Sequence, residues 1–388
     1  MKLIPLQVEA RFHRFWGALT IGSALLLAGC AAFVPERAWA NGLLIAYFVV
    51  TLGLGGAVFI ALTNVTGASW HVAFRRIPEA LTRLLPFGGA ALLGLLVCQR
   101  ERYGWHHHGS AGAGTFWFKE LWLTPSFYLV RTVVYLGLWM LFTRQLVKTS
   151  RQQDALPSES AAPMSKATSV LFLFTFAITF SLAGVDWIMA LEPMWYSTIW
   201  GVYQFSGMFM GTLSVLIIAG ILLRRHGIMA ELFRDEHLHD LGKLLLGFSC
   251  FWMYIWFCQY MLIWYSNIPE ETVYFAQRLH GAWGPMIVAN LILNWGIPFF
   301  VLLPRPNKRN ETVMFRIAAI VLIGRWVDLS ITIFPPVVGD APPLGLPEVA
   351  GAVTAIGLTV WLFTSAFAAA NPTPTQDVYL GESLQYHA

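Results

Sequence analysis

LGKLLLGFSCFWMYIWFCQYMLIWY, residues 241–265, holds a single charged side chain, Lys243, in 25 positions. A helix of that length rises about 1.5 Å per residue, enough to cross the ~30 Å hydrocarbon core of a bilayer. Lipid offers no partner to a free backbone N–H or C=O, so a run this apolar spans as a helix with its hydrogen bonds made internally. It is also far too long for a transmembrane barrel strand.

Nine further stretches have the same character: 14–33, 42–63, 84–99, 126–146, 169–191, 197–223, 282–303, 313–334 and 348–370. The stretch at 84–99 is short and Gly-rich. The composition agrees: 57% of residues are hydrophobic and 12% charged, against roughly 25% charged in a globular domain. The expected fold is therefore an all-α polytopic membrane protein of about ten transmembrane helices, forming one integral membrane domain over residues 1–388. A polar linker, about 147–168, separates the first four helices from the rest, and residues 371–388 form a tail.

Basic residues report orientation. The segments on the N-terminal side of the membrane, here side A, hold sixteen Lys and Arg, from Lys2 to Arg309; the loops on the opposite side B hold five, Arg37, Arg100, Arg102, Lys119 and Arg278. That bias places side A, both termini, the linker and the tail in the cytoplasm. The formal charge of +4 reports this topology and gives no indication of nucleic-acid binding. SALLLAGC, 23–30, has the form of a lipoprotein signal ending at its acceptor cysteine, with Lys2, Arg11 and Arg14 ahead of it; it is read here as part of the first membrane helix.

Redox centres of the chain's own are not expected. Cys30, Cys98, Cys250 and Cys258 form no CxxC or CxxCH pair. All ten histidines fall in loops or at helix ends, whereas a membrane b-type haem takes histidines buried in spans. The run His106–His108 is a candidate metal-binding loop, but three adjacent residues do not easily share one ion, and a solvated loop is the simpler reading. No tightly bound metal is expected.

Ionisable residues within spans cost about 3 kcal/mol or more unless paired or wetted, and so mark candidate sites. Arg131 lies in the fourth helix. Asp186 and Glu192 lie at the B end of the fifth, either as helix-end caps or as a place where protons or quinol arrive. Arg325 and Asp328, at i and i+3 in the ninth helix, share a face; an internal ion pair and a proton relay are both open. Gln204, Gln259, Asn290 and Asn294 add polarity to helices six to eight, and Asp240 and Lys243 stand at the A end of the seventh. Together they suggest a polar path through the bundle. Glu270, Glu271, Arg278 and His280 crowd a B-side loop.

HDLGKLLLGFSCFWMYIWFCQYMLIWYSNIPEETVYF (239–275) resembles the signature stretch of the ActF-type subunit of bacterial alternative complex III, one of the NrfD/PsrC-like membrane proteins. SLAGVDWIMALEPMWYSTIWGVYQF (181–205) is similar to that family's segment joining the fifth and sixth helices; WHVAFRRIPEA (70–80) resembles its cytoplasmic loop after the second, and KELWLTPSFYLVR (119–131) its approach to the fourth. The resemblance implies two four-helix bundles, helices 2–5 and 6–9, flanked by helices 1 and 10. It implies a subunit of a quinol:cytochrome c or quinol:oxidase oxidoreductase in the bacterial cytoplasmic membrane, not catalytic alone. Its partners would be an iron–sulfur protein, a sister NrfD-like subunit, c-type cytochromes and a terminal oxidase, which would carry the haems and clusters.

Quinol oxidation releases protons that a nearby carboxylate can accept if its pKa is tuned for it. Asp186, Glu192, Glu270 and Glu271 are the B-side candidates, and Asp240, Gln259, Arg325 and Asp328 the candidates for a route through the bundle. Lys119, Arg131, Trp187, Arg278 and His280 are candidates to line a menaquinone or other quinone pocket. The alternative from another class is a proton-coupled secondary transporter. Such proteins often break helices at mid-membrane with Gly or Pro, and here the prolines lie mostly near helix ends or in loops, with Pro298 the exception.

Overall fold

A computed structural model describes residues 8–98, 121–155, 161–192, 194–339 and 341–387. Every regular element among them is helical. The long helices are α1 (Ala10–Cys30), α2 (Pro35–Thr66), α4 (Leu84–Cys98), α5 (Pro125–Ala155), α6 (Ala161–Trp187), α7 (Trp200–Arg225), α8 (Asp235–Ser266), α13 (Glu311–Ile333) and α15 (Leu346–Ala368). Short α3 (Arg76–Leu81) leads into α4, and α9 (Pro269–Leu279) follows α8. Helices α10 (Gly284–Leu291) and α11 (Ile297–Leu302) are joined into one rod by a π turn, Ile292–Gly296. Short helices α12 (Arg305–Arg309), α14 (Pro335–Val338) and α16 (Leu380–Gln385) complete the chain.

Eight helical segments among the described residues are long and apolar enough to cross a membrane. The chain is a multi-pass helical membrane protein. Helices α1 and α13, of 21 and 23 residues, have the length but are more polar; α13 carries Glu311, Arg316, Arg325 and Asp328.

The packing follows from which helices are covered. The most apolar window of α2 is wholly buried and that of α7 nearly so, whereas those of α5, α6 and α8 keep one side outward. Helix α2 packs on α4 and α6, α4 on α5, and α5 on α6; α7 packs on α8 and α13, α8 on α11, and α10 on α13. The two groups meet through α2 and α6 against α7, and α1 with α15 forms a pair laid against α2 and α3. Glycine sets the closest crossings. A Cβ on Gly53 would sit 2.6 Å from the Leu85 nitrogen, and one on Gly88 2.8 Å from the Val50 nitrogen, so α2 and α4 touch backbone to backbone.

Two expectations change here. The expected polar linker is helical on both sides: α5 continues to Ala155 and α6 begins at Ala161. The reason is partnership, since Ser150 and Asp154 face a buried cluster and extend the helix beyond its apolar stretch. The expected loop WHVAFRRIPEA is instead a 3-10 turn followed by α3, with Arg75, Arg76 and Glu79 all buried.

The C-terminal tail lies across the A-side helix ends. Asp377 pairs with Arg75 at 3.2 Å. Ser383 Oγ accepts from the Ala73 N–H at 3.0 Å and donates to the Trp70 carbonyl at 2.8 Å. Arg234 donates to the Leu384 carbonyl at 2.5 Å, and the Tyr386 ring stacks on His237. The tail thus joins the start of α3 to the start of α8.

Gly88→Val is expected to lower stability by about 1–3 kcal/mol by forcing α2 and α4 apart. The midpoint of unfolding in a detergent titration checks this; an unchanged midpoint would show that the crossing is not tight.

Candidate functional site

The inward faces of α7, α10 and α13 hold the most deeply buried polar cluster. Arg325 and Asp328, one turn apart on α13, are about 1% and 0% exposed. Their side chains meet at 2.5 Å. Burying two charges costs several kcal/mol per ion unless each is paired and its remaining hydrogen bonds are made. The sequence supplies those partners. Arg325 Nη2 donates to Gln204 Oε1 at 3.1 Å, and Tyr47 OH donates to the same oxygen at 3.3 Å. Tyr203 OH and Asn290 Nδ2 donate to Asp328 Oδ1, the latter at 3.1 Å. Space is supplied as well: a Cβ on Gly207 would lie 2.4 Å from Arg325 Nη1.

The string continues through the π turn. Asn294 Nδ2 donates to Asn290 Oδ1 at 2.6 Å, and Ser249 Oγ of α8 donates to the Asn294 carbonyl. A π turn widens the helix and turns one side chain out of register, a feature frequent at functional sites. Here it brings Asn290 and Asn294 onto one line facing α13. Three buried atoms in the cluster have no hydrogen-bond partner among the described residues: Arg325 Nε, Gln204 Nε2 and Asn294 Oδ1.

The string ends at Ser249. Asp240 lies nine residues earlier on α8, about 13 Å along the axis, and Leu245, fully buried, stands between them. Among the described residues the hydrogen-bonded string therefore stops at Ser249 and does not reach Asp240. Asp240 belongs to a separate A-side group, paired with Lys243 and 3.8 Å from His239 Nδ1. Gln259 is buried on the B half of α8.

On side B the sequence candidates form two ion pairs. Asp186 accepts from Arg131 Nε at 3.1 Å and Nη2 at 3.0 Å, from Trp122 Nε1 at 2.9 Å and from Tyr135 OH at 3.2 Å. The Arg131 guanidinium lies between the Trp122 ring at 3.9 Å and the Phe127 ring at 4.6 Å. Glu192 pairs with Arg278, which also donates to the Ile331 and Tyr274 carbonyls at 3.0 Å each. Arg278 stacks on the Tyr274 ring at 3.7 Å, and that ring stacks on Trp195 at 4.0 Å.

Of the residues expected to line a quinone pocket, the two arginines and Trp187 are engaged with their own neighbours. All three nitrogens of Arg131 and of Arg278 are engaged within the protein. Trp187 is fully buried and its N–H donates to Thr132 Oγ1 at 3.1 Å. His280 is exposed. Lys119 lies outside the described residues. Glu270 and Glu271 stand in the first turn of α9, directly after Pro269, where a carboxylate offsets the helix dipole; neither belongs to a buried cluster.

One cluster was not anticipated. Arg76 pairs with Glu79 and Asp154, and Arg75 with Glu79 at 3.4 Å and Asp377 at 3.2 Å. The i, i+3 and i, i+4 spacing of Arg75, Arg76 and Glu79 is the signal that points to it. Beside it, His71 is buried; loss of water, together with nearby Arg75, pushes its pKa down to about 3. Among the described residues no group of three or more His, Cys, Asp or Glu is arranged to hold a metal.

No protein-family model matches the chain, and no curated protein matches it.

Two outcomes follow from this geometry. Arg325→Gln or Asp328→Asn alone should cost about 3–5 kcal/mol, because each strands a buried charge. The double variant should cost less than the sum, measured as a double-mutant cycle of detergent unfolding midpoints. His71, neutral when folded, holds its full contribution above its ordinary pKa of 6.5. The unfolded chain binds the proton first as pH falls, so stability should drop from about pH 6.5 towards pH 3. His71→Phe should flatten that slope, and an unaltered slope would assign it elsewhere.

Proposed function

We propose that this chain is an ActF-type, NrfD/PsrC-like membrane subunit of a bacterial alternative complex III. It would not oxidise quinol by itself. It would supply lipid-embedded walls and buried titratable groups to a complex whose iron–sulfur protein, sister NrfD-like subunit and c-type cytochromes carry the electrons to a cytochrome c or a terminal oxidase. In this reading α1 and α13 cross the membrane too, giving ten spans. The groups α2–α4–α5–α6 and α7–α8–α10/α11–α13 are the two four-helix bundles, and side A is the cytoplasm of a bacterial inner membrane.

The observation that carries the reading is Asp328, fully buried, balanced by one arginine and joined by hydrogen bonds to groups on α7 and α10. A carboxylate held this way can take a proton when the balance of nearby charge changes. Protonation would weaken its hold on Arg325, whose other partner is Gln204 on the neighbouring helix. The stretches 239–275 and 181–205 support the family assignment. The leading alternative is a proton-coupled secondary transporter. Pro298 and the π turn are its support, but the rod stays helical through both, without the unwound backbone that transporters use to bind substrate.

Purification of the tagged chain from its native membranes in mild detergent tests this. Co-elution with c-haem absorbance and iron–sulfur proteins is expected. A lone, monodisperse chain that moves solute into liposomes would overturn the reading. In the intact complex, Asp328→Asn should lower proton release per quinol oxidised; unchanged release removes Asp328 from the route.

A further inference from the structure

A cleft of about 870 Å³ opens between the α1/α15 pair and helices α7 and α13, with α2 at its floor. That lies within the roughly 300–1,000 Å³ of ligand pockets. Its deep end is closed by Phe48 and Trp326, packed edge to face at 5.3 Å, with Leu52 and Ala352 beside them. Polar lining is confined to the A-side half: Glu9, His226, Thr359 and Thr364.

The dimensions are those of one leaflet. From Ala352 to Thr364 the cleft follows α15 for thirteen residues, a rise of about 18 Å, close to the ~15 Å half-thickness of a hydrocarbon core. A headgroup would therefore rest at the A-side rim with its tails reaching the membrane middle. The rim is basic on balance. Arg316 is exposed on the face of α13 that also carries Ala319, Ile323 and Trp326, about one turn nearer side A. Arg225 packs over Phe315 at 5.5 Å while pairing with Glu311. His226 has Nδ1 on the Leu222 carbonyl at 2.8 Å. Arg11 and Arg14 lie in the turns of α1 that supply Glu9, Phe12 and Trp16 to the wall. The cleft wall itself carries Glu9 and His226; Arg11, Arg14, Arg225 and Arg316 stand close by in sequence to its lining residues, four arginines to the two glutamates Glu9 and Glu311, and that excess favours an anion.

We propose that this cleft is a binding site for one anionic phospholipid of the A-side leaflet. Its acyl chains lie along α15 and its phosphate meets the Arg225–His226–Arg316 rim. The deep end argues against an isoprenoid quinone bound head-first: Arg325, next to Trp326, points its guanidinium to Gln204 and Asp328, and no other charged group lines that end. The site owes nothing to the redox reading and stands or falls separately.

The full chain, with the proteins that co-purify, is placed in nanodiscs of equal parts phosphatidylethanolamine and phosphatidylglycerol and examined by native mass spectrometry. One phosphatidylglycerol should persist at energies that strip the other lipids. Ala352→Phe with Ile356→Trp, which fills the cleft, should abolish that retained mass. Arg316→Glu, at an exposed position, should lower the preference for phosphatidylglycerol about fivefold or more, since one basic residue near a membrane surface contributes about that factor. Both variants should elute as the parent does. Equal retention in the filled variant, equal retention of the two lipids by the parent, a retained quinone, or detergent alone would each overturn the proposal.

Discussion

The demand that no buried charge be left alone shapes this protein more than any other constraint. Arg325 and Asp328 sit one turn apart on α13, where lipid or a plain apolar neighbour would leave them costly. Everything around them answers that cost. Helix α7 turns Gln204 and Tyr203 towards the pair and clears room with Gly207; α2 sends Tyr47; and the π turn between α10 and α11 aims Asn290. The rotation and register of four helices are fixed by these contacts. An apolar interface alone would tolerate several registers, since lipid is as good a partner as leucine.

The same logic recurs away from the centre. Asp186 is satisfied by Arg131, Trp122 and Tyr135, and Glu192 by Arg278. The B-side pair and the central pair are linked through rings: Tyr135 contacts Trp187 at 6.2 Å, Trp187 contacts Tyr47 at 6.4 Å, and Tyr47 reaches Gln204. Rigid aromatic side chains lose little entropy when packed and hold these charges at set positions. The abundance of tryptophan is thus partly a matter of interior scaffolding. Trp139, Trp187, Trp200, Trp252 and Trp283 are all nearly inaccessible, where an interfacial belt would leave them at the rims.

The helical membrane architecture was legible because lipid makes long apolar runs unambiguous. The Arg325–Asp328 pair was legible too, since an i, i+3 spacing within one helix is local information. What escaped was whatever depends on distant partners. Nothing in the polar stretch near Ser150 and Asp154 says that Arg76 waits for it. Nothing in RRIPEA distinguishes a solvated loop from a buried one until Asp377, some three hundred residues later, closes over it. That the hydrogen-bonded string stops at Ser249 was likewise hidden, because its partner, the Asn294 carbonyl, lies on another helix. Arg131 and Arg278 stood out as ionisable residues, but only the three-dimensional arrangement shows that their nitrogens are occupied by their own neighbours.

The strap formed by residues 377–386 bears on how the molecule can flex. It holds Trp70, Ala73 and Arg75 on one helix group and Arg234 and His237 on the other. The A-side ends of the two groups therefore cannot part without breaking several hydrogen bonds at once. At the far end the two groups are tied as well: Glu192, just beyond α6, pairs with Arg278 on α9, and Trp200 Nε1 of α7 donates to the Gly184 carbonyl of α6 at 3.0 Å. A swing of one group against the other would have to break the strap on side A or the Glu192–Arg278 pair on side B. The tail is thus one of two clamps, set at opposite ends of the seam between the groups.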